Sequence, residues 1–432
     1  MLSKMKISRK LPVLILSIAL AISVGLGVLA YKDSSSALNA EVVKKLEVTL
    51  QSRKATLLNY LQGIEEDLTV ISVNPFTVQA ANEFTAAFAE LGEGASGYLQ
   101  KAYITDNPHP TGEKEKLDAA GDGSAYSKVH GQFHDWFRTN LNTREYYDIF
   151  IFDLKGNLVY SVFKELDYAT NLVTGKWKES GLGQVFRAAA ALPAGSKPAF
   201  IDFAPYAPSY DAPASFMGLP IVDAGGKKVG VLAYQMPITR IDTVMNDATG
   251  LGETGETYIF GEDFLMRSSS RFSEESTILK KNVDSSASRA AIAGDSGNKV
   301  TENQSGELVK KVYAPLGFLG TKWGIMAEMS EAEYLAPNNA LRNDLAIATV
   351  VMLLLAGFVG ITFSRSITKA LGGITSAMTK LANGENETDV PILSGAMKLV
   401  IWPIHSISLK RMHLSGCALR KRPARVRKKL RA

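Results

Sequence analysis

His130 and His134 stand four residues apart in a stretch that reads as helix. That spacing puts both rings on one face, as two metal ligands would be. Asp135 beside them points elsewhere, and two ligands do not close a site, so the pair reads as satisfied core or pocket lining rather than as a metal centre. Side chains able to hold a small charged molecule lie on either side of it: Tyr126, Trp136, Arg138, Arg144, Tyr146, Tyr147, Tyr160, Lys164, Asp167, Tyr168, Asp202 and Tyr206. An anionic or zwitterionic molecule needs a cation or amide for its carboxylate, a carboxylate for any amine, and an aromatic wall. Catalytic patterns do not stand out. There is no phosphate loop ending in Lys-Ser/Thr, no Gly-x-Ser-x-Gly and no paired Cys and His. Gly250-Leu-Gly-Glu-Thr-Gly255 has the outline of a dinucleotide fingerprint, but it opens a strand rather than a helix. Neither catalytic residues nor a cofactor is expected.

The elements that must position these residues follow from the hydropathy pattern. Residues 146–163 read as a hairpin: Tyr146 to Asp153 is aromatic and β-branched, Lys155-Gly156-Asn157 turns, and Leu158 to Phe163 returns. Further strands are expected at 198–204, 216–222 and 228–236, the last two joined by the turn Asp223-Ala-Gly-Gly226. A second set follows at 256–260, 264–267, 308–314 and 323–329, with a helix at 284–293. A strand, turn, strand, helix, strand, strand order therefore occurs twice, which predicts an α+β chain with two antiparallel sheets. Ahead of them, residues 36–72 carry an apolar seam: Leu46, Leu50, Leu57, Leu61, Ile64, Leu68 and Ile71 step by three, four or seven. Arg53 interrupts the seam, and Asn74-Pro75 ends the helix. Such a helix suits a stalk that pairs in a dimer, and it equally suits one apolar face packed on its own domain.

Two uncharged apolar runs bracket all of this. Residues 11–30 would span ~30 Å as a helix, the thickness of a bilayer core, and they exceed the ~7–15 residues of a signal-peptide core. Residues 345–363 form the second run. Lys4, Lys6, Arg9 and Lys10 precede the first, and Arg365 and Lys369 follow the second. Basic flanks favour the cytoplasm. Residues 1–10 and the chain after 363 are thus expected inside the cell, and 31–344 outside the inner (plasma) membrane.

Charge and cysteine point to the end of the chain. Of 48 Lys and Arg, 11 fall in 395–432, a stretch with no Asp or Glu. The other 37 face 43 acidic residues in 1–394, net −6. The basic excess belongs to the tail, and no nucleic acid is expected as a partner. The single cysteine, Cys417, is also there, which rules out a disulfide within one chain.

Taken together, the stalk helix, the Tyr-Tyr-Asp-Ile-Phe-Ile-Phe-Asp-Leu-Lys-Gly-Asn hairpin, Gly-Lys-Lys-Val-Gly-Val-Leu-Ala-Tyr-Gln at 226–235 and Gly255-Glu-Thr-Tyr-Ile-Phe260 resemble the methyl-accepting chemotaxis receptors with a double Cache sensor. The resemblance covers residues 1 to about 394. It implies two PAS-like modules on the stalk, at 76–240 (membrane-distal) and 241–335 (membrane-proximal), within a periplasmic sensor. It implies a non-enzymatic receptor, a homodimer, and an intact form that engages a chemotaxis adaptor and kinase. It also implies that the ligand sits in the distal module. The candidates there are Tyr126, Trp136, Arg138, Arg144, Tyr147, Tyr160, Asp167, Asp202 and Tyr206, with Arg144 or Arg138 as anchoring cation and Asp202 as partner for an amine. The ligand expected is a small carboxylate or amino acid.

Ile367, Leu371, Ile374, Met378 and Leu381, then Gly384 and Val390-Pro391, resemble the first helix and connector of a HAMP relay, partial here at 364–394. Ala370 stands where many such helices have proline. The second helix does not follow. Shifted by one base, however, the codons of 396–403 can read Asp-Glu-Ile-Gly-Asp-Met-Ala, the motif that such a helix begins with. A frameshift before Ala396 would make 395–432 its product; the other reading is a genuine basic tail on the cytoplasmic leaflet. The same sensor and HAMP layout also heads histidine kinases and cyclic-dinucleotide enzymes.

Overall fold

The structure, a computed structural model, describes residues 5–303 and 305–383. Gly384, the Val390-Pro391 connector and the tail at 395–432 lie outside the described residues, and the frameshift reading with them. The described residues form two compact units, 25–347 and a unit made of 5–24 with 348–383.

The larger unit is α+β, with two antiparallel sheets on a long helix. Helix α1 runs Ile7–Ser72. Its seam is buried on its own unit: Leu46, Leu50, Leu57, Leu61 and Leu68 are fully buried, and Ile64 and Ile71 nearly so. Each buried leucine contributes ~1.5–3 kcal/mol of transfer free energy. Of the two uses expected for this seam, packing on the chain's own modules is the one seen. Arg53, the interruption, reaches sideways, with Nη1 2.7 Å from the Asp247 carboxylate and Nη2 3.0 Å from the Asp247 carbonyl oxygen. Asn74 then caps α2 (Pro75–Glu90), accepting from the Phe76 amide, with proline at the first helical position.

In the first module α3 (Ala95–Gln100) precedes α4 (Ala125–Arg144). The Ser124 hydroxyl caps α4 at its start, and Glu145 in a left-handed conformation (φ 60°) ends it. Strands β1 (Asp148–Phe152), β2 (Leu158–Ser161), β3 (Ala199–Tyr206), β4 (Ala212–Val222) and β5 (Lys228–Gln235) form a sheet in the order β2-β1-β5-β4-β3. Helix α5 (Gly181–Ala191) covers one face, packing Leu182, Val185, Phe186 and Ala189 against Phe150, Phe152 and Phe216. Helices α2 and α4 and the seam of α1 cover the other through Phe84, Phe133, Phe137, Ile149, Ile151 and Tyr234.

The second module follows α6 (Ile238–Met245). Strands β6 (Glu256–Phe260), β7 (Gly297–Glu302), β8 (Leu308–Phe318) and β9 (Thr321–Ser330) lie in the order β6-β9-β8-β7, with α7 (Ser286–Ile292) on one face. One expected strand differs. Residues 264–267 make only isolated bridges, Met266 to Phe260 and Leu265 to Asn282. Phe264 at φ 59° breaks the extended run there. The fourth strand is instead β7, whose Gly-Asn-Lys-Val-Thr-Glu lacks the aromatic and β-branched run that marks the others. Helices α8 (Glu331–Tyr334) and α9 (Ala336–Ala382) follow β9.

The smaller unit holds the start of α1 and most of α9. Both helices are long and apolar enough to cross a membrane, by length and composition. Within this unit a side chain added at Gly360 would meet Pro12 and Ile15, and the Ser364 hydroxyl donates to the Ser8 carbonyl oxygen at 3.0 Å. Small residues at such crossings let apolar helices approach closely. Further along α9, Leu371, Ile374 and Met378 are exposed.

Candidate functional site

The helix α4 presents His130, His134 and Arg138 one turn apart, and all three grip the loop that precedes α4. The Arg138 guanidinium donates to the Glu115 carbonyl oxygen (3.0 Å) and to the Asp118 carboxylate (2.7 Å), and separately to Asp135. His134 Nε2 lies 2.6 Å from the Glu115 carbonyl oxygen, which can only accept, so this nitrogen carries the proton. Nδ1 then accepts from the Tyr160 hydroxyl at 2.7 Å. His130 Nδ1 likewise donates to the Asp118 carbonyl oxygen, and its Nε2 is buried without a partner. Burial holds the His134 ring down to about 2, helped by the nearby Lys164 charge. Burial likewise pushes His130 well below the ordinary range, so both rings are neutral. Among the described residues no three His, Cys, Asp or Glu side chains are placed to hold a metal ion.

Behind this loop lies Lys164. It is 1% exposed and sits in the left-handed region (φ 56°), a strained placement for a side chain with a Cβ. Its ammonium donates to the Val162 carbonyl oxygen at 2.8 Å and lies 5.8 and 5.9 Å from the centres of the Tyr103 and Tyr160 rings. Burial lowers its pKa to about 7, partly offset by the Asp148 carboxyl. Tyr126 and Tyr168 back this aromatic wall, their hydroxyls 2.8 Å apart, with Tyr126 also donating to the Val159 carbonyl oxygen.

Three carboxyl groups gather nearby, Asp148 on β1 and Glu165 and Asp167 directly after Lys164. Asp148 is fully buried at the start of β1. One oxygen accepts from the amides of Ile149, Val162 and Phe163 (2.7, 2.9 and 3.2 Å), the other from the Ser161 hydroxyl (2.8 Å). Burial raises its pKa to about 8, with the Glu165 and Asp167 charges adding to the rise. Asp167, also fully buried, accepts from Tyr206, while its Oδ1 has no partner. Burial raises it to about 7. Glu165 is half-buried and accepts from Tyr147 (3.1 Å) and from the Ser209 hydroxyl. A cavity of about 280 Å³ opens here, lined by Tyr147, Phe163, Lys164, Glu165, Pro208 and Tyr210, with Ile104, Thr111, Gly112 and Lys114 across from them. Lys164, Glu165 and aromatic side chains thus line it together.

Of the nine residues singled out from the sequence, Tyr147 lines this cavity. Tyr126 and Tyr160 form the wall around Lys164, and Asp167 and Tyr206 pair beside it. The others have different partners. Arg138 holds the loop. Trp136 packs on Phe76 and Phe137, ring centres 5.0 Å from each. Arg144 lies at the exposed end of α4, 3.1 Å from Asp67 of α1. Asp202 accepts from Arg267 and from the Trp323 indole (3.0 Å) of the second module. Glu165 and Asp148 were not singled out. The trace of Glu165 in sequence is the run Lys164-Glu-Leu-Asp167 directly after an aromatic strand, where a turn of solvated charges would be the ordinary reading, and Asp148 stands within the expected hairpin strand.

No family model matches the sequence. A probable chemoreceptor of Sinorhizobium fredii, y4sI, is 24% identical over 387 residues, covering 88% of this chain and 48% of that protein. The chain resembles a chemoreceptor. It spans about half the length of that curated relative. Among solved structures, the sensory domain of the Campylobacter jejuni chemoreceptor Tlp3 is 11% identical, covers 69% of this chain and 97% of its own, and has a TM-score of 0.42. The ligand-binding domain of the Pseudomonas aeruginosa amino acid chemoreceptor PctB, solved with L-Arg, is 13% identical, with coverage of 69% and 97% and a TM-score of 0.37.

Proposed function

We propose that this chain is the sensor part of a membrane-anchored chemoreceptor, with residues 31–344 outside the inner membrane and a small charged metabolite bound in the first module. The observation that carries the reading is the likeness to a probable chemoreceptor over 88% of the chain, in a chain with two helices long and apolar enough to cross a membrane. The cavity beside Lys164 and Glu165 supports it. A carboxylate there would accept from the Lys164 ammonium, an amine would donate to Glu165, and the Tyr147 ring would flank both. Amino acids and short organic acids have the size for it. Arg138, Arg144 and Asp202 have no part in this version of the site. The exposed face of α9 at Leu371, Ile374 and Met378 suits a helix bundle in a homodimer, through which binding would reach an adaptor and kinase. Binding can act on such an output only through different affinities for two states of the receptor.

The test is thermal unfolding of the full chain in nanodiscs against a panel of amino acids and small organic acids. A stabiliser that works on the wild type and fails on Glu165→Gln and Lys164→Met supports the site. A panel with no stabiliser at all counts against a sensor of this ligand class.

A further inference from the structure

We propose that the second module carries a ligand site of its own, for a small zwitterion, on the face of its sheet beside α7. A cavity of about 570 Å³ lies there. Its floor is a row of three charged side chains in register across neighbouring strands: Glu256 on β6 faces Glu328 on β9, which faces Lys311 on β8. Their exposures are 4%, 8% and 5%. Two carboxylates directly opposite in an antiparallel pair repel, and burying charge is costly besides. Folding alone favours apolar groups at such positions. The next row of the same face has them, with Tyr258 opposite Met326 and Met326 opposite Tyr313.

The pairing of these charges leaves capacity unused. Glu328 accepts from the Tyr258 hydroxyl at 2.8 Å and Glu256 from the Ser270 hydroxyl. The ammonium groups stand further off, Lys311 at 3.3 Å from Glu328 and Lys281 at 3.5 Å from Glu256. Tight charge-assisted contacts are ~2.7–2.9 Å, and an ammonium has three donors. Both lysines line the cavity with one carboxylate neighbour each among the described residues. A ligand carboxylate reaching Lys281 and Lys311, with its ammonium toward Glu256 and Glu328, would complete both sets. Acidic side chains at the rim, Glu302 and Glu307, favour the ammonium end further. The site is separate from the first-module cavity and does not depend on it.

The experiment titrates the full chain in nanodiscs with glycine, β-alanine and 4-aminobutyrate, and with propionate and propylamine as half-ligands. At least one zwitterion is expected to raise the melting temperature well beyond either half-ligand. In a Glu165→Gln background, which removes binding in the first module, Lys311→Met should weaken that effect at least tenfold. Lys281→Ala, at a more exposed position, repeats the test if Lys311→Met does not fold. No shift with any zwitterion, or a shift that survives both lysine variants, overturns the proposal. A shift lost in Glu165→Gln and kept in the lysine variants also overturns it, and leaves the first-module reading standing.

Discussion

Arg267, in the loop after β6, holds Asp202 of β3 through two of its nitrogens at 3.0–3.2 Å. Arg267 is 4% exposed, and its guanidinium passes so close to Gly261 that any side chain there would collide with it. The pair joins the two modules, and Asp263 is the arginine's other carboxylate. Asp202→Ala should therefore act on stability. With Asp263 still in place, the expected loss is about 2 kcal/mol, less than for a buried pair stripped of its only partner. Thermal unfolding followed by tryptophan fluorescence would read it, while ligand affinity stays within twofold. Weakened binding at unchanged stability would show that Asp202 faces ligand instead.

Asp148→Asn tests the buried carboxyl. In its protonated form Asp148 can accept three amides on one oxygen and donate to Ser161 from the other, and asparagine reproduces that pattern. The folded pKa, about 8, lies above the unfolded value of 3.8. The folded state thus binds the extra proton between these values, and this group's contribution to stability falls as pH rises from ~4 to ~8. The variant should gain on the wild type across that window, by a few kcal/mol on the order-of-magnitude scale of the shift. Melting temperatures of both proteins at pH 5 and pH 8.5 decide it. Parallel curves would mean the carboxyl is already charged in the fold.

His134 has the opposite slope. Its folded pKa, about 2, is below the unfolded 6.5, so its contribution is full above 6.5 and is lost as pH falls toward 2. Glutamine can donate to the Glu115 carbonyl oxygen and accept from Tyr160 without titrating. His134→Gln should accordingly lose less stability than the wild type between pH 7.5 and pH 5. Hydrogen exchange in residues 106–122 gives a local readout, since the loop hangs on this ring. Identical acid sensitivity in the two proteins would assign the effect to other groups.

Arg144 and Asp67 should differ in weight although they touch. Arg144 is mostly exposed, and exposed ion pairs give ~0–1 kcal/mol. The Asp67 side chain is 8% exposed and also accepts from the Tyr146 and Tyr234 hydroxyls at 3.0 and 3.3 Å. Arg144→Ala should cost less than ~1 kcal/mol, and Asp67→Ala about 2 kcal/mol or more, because two tyrosine hydroxyls lose their acceptor. Chemical denaturation of the two variants separates these values.

The elements were more legible than the site. Strands β1, β2, β5 and β6 follow from aromatic and β-branched runs between glycine-rich turns, and the seam of α1 from its spacing. The run at 264–267 misled because one residue at positive φ is invisible to periodicity, and β7 was missed because it owes its place to pairing with β8. The site failed in another way. Residue type marks Arg144 and Asp202 as good ligand anchors, but type does not show that α1 and the second module already supply their counter-charges. Glu165 looks like a surface charge in sequence, and only the folded loop of residues 104–114 encloses it together with Lys164.

The seam of α1 also sets how this gene can change length. Leu57, Leu61, Ile64, Leu68 and Ile71 are all spent on the modules. One residue inserted among them would turn every later position by ~100° and present the polar side of the helix to both cores. Seven would advance the helix by two turns and restore the angle to within ~20°. Viable insertions and deletions in this stretch should come in sevens, and single-codon changes should be absent from it.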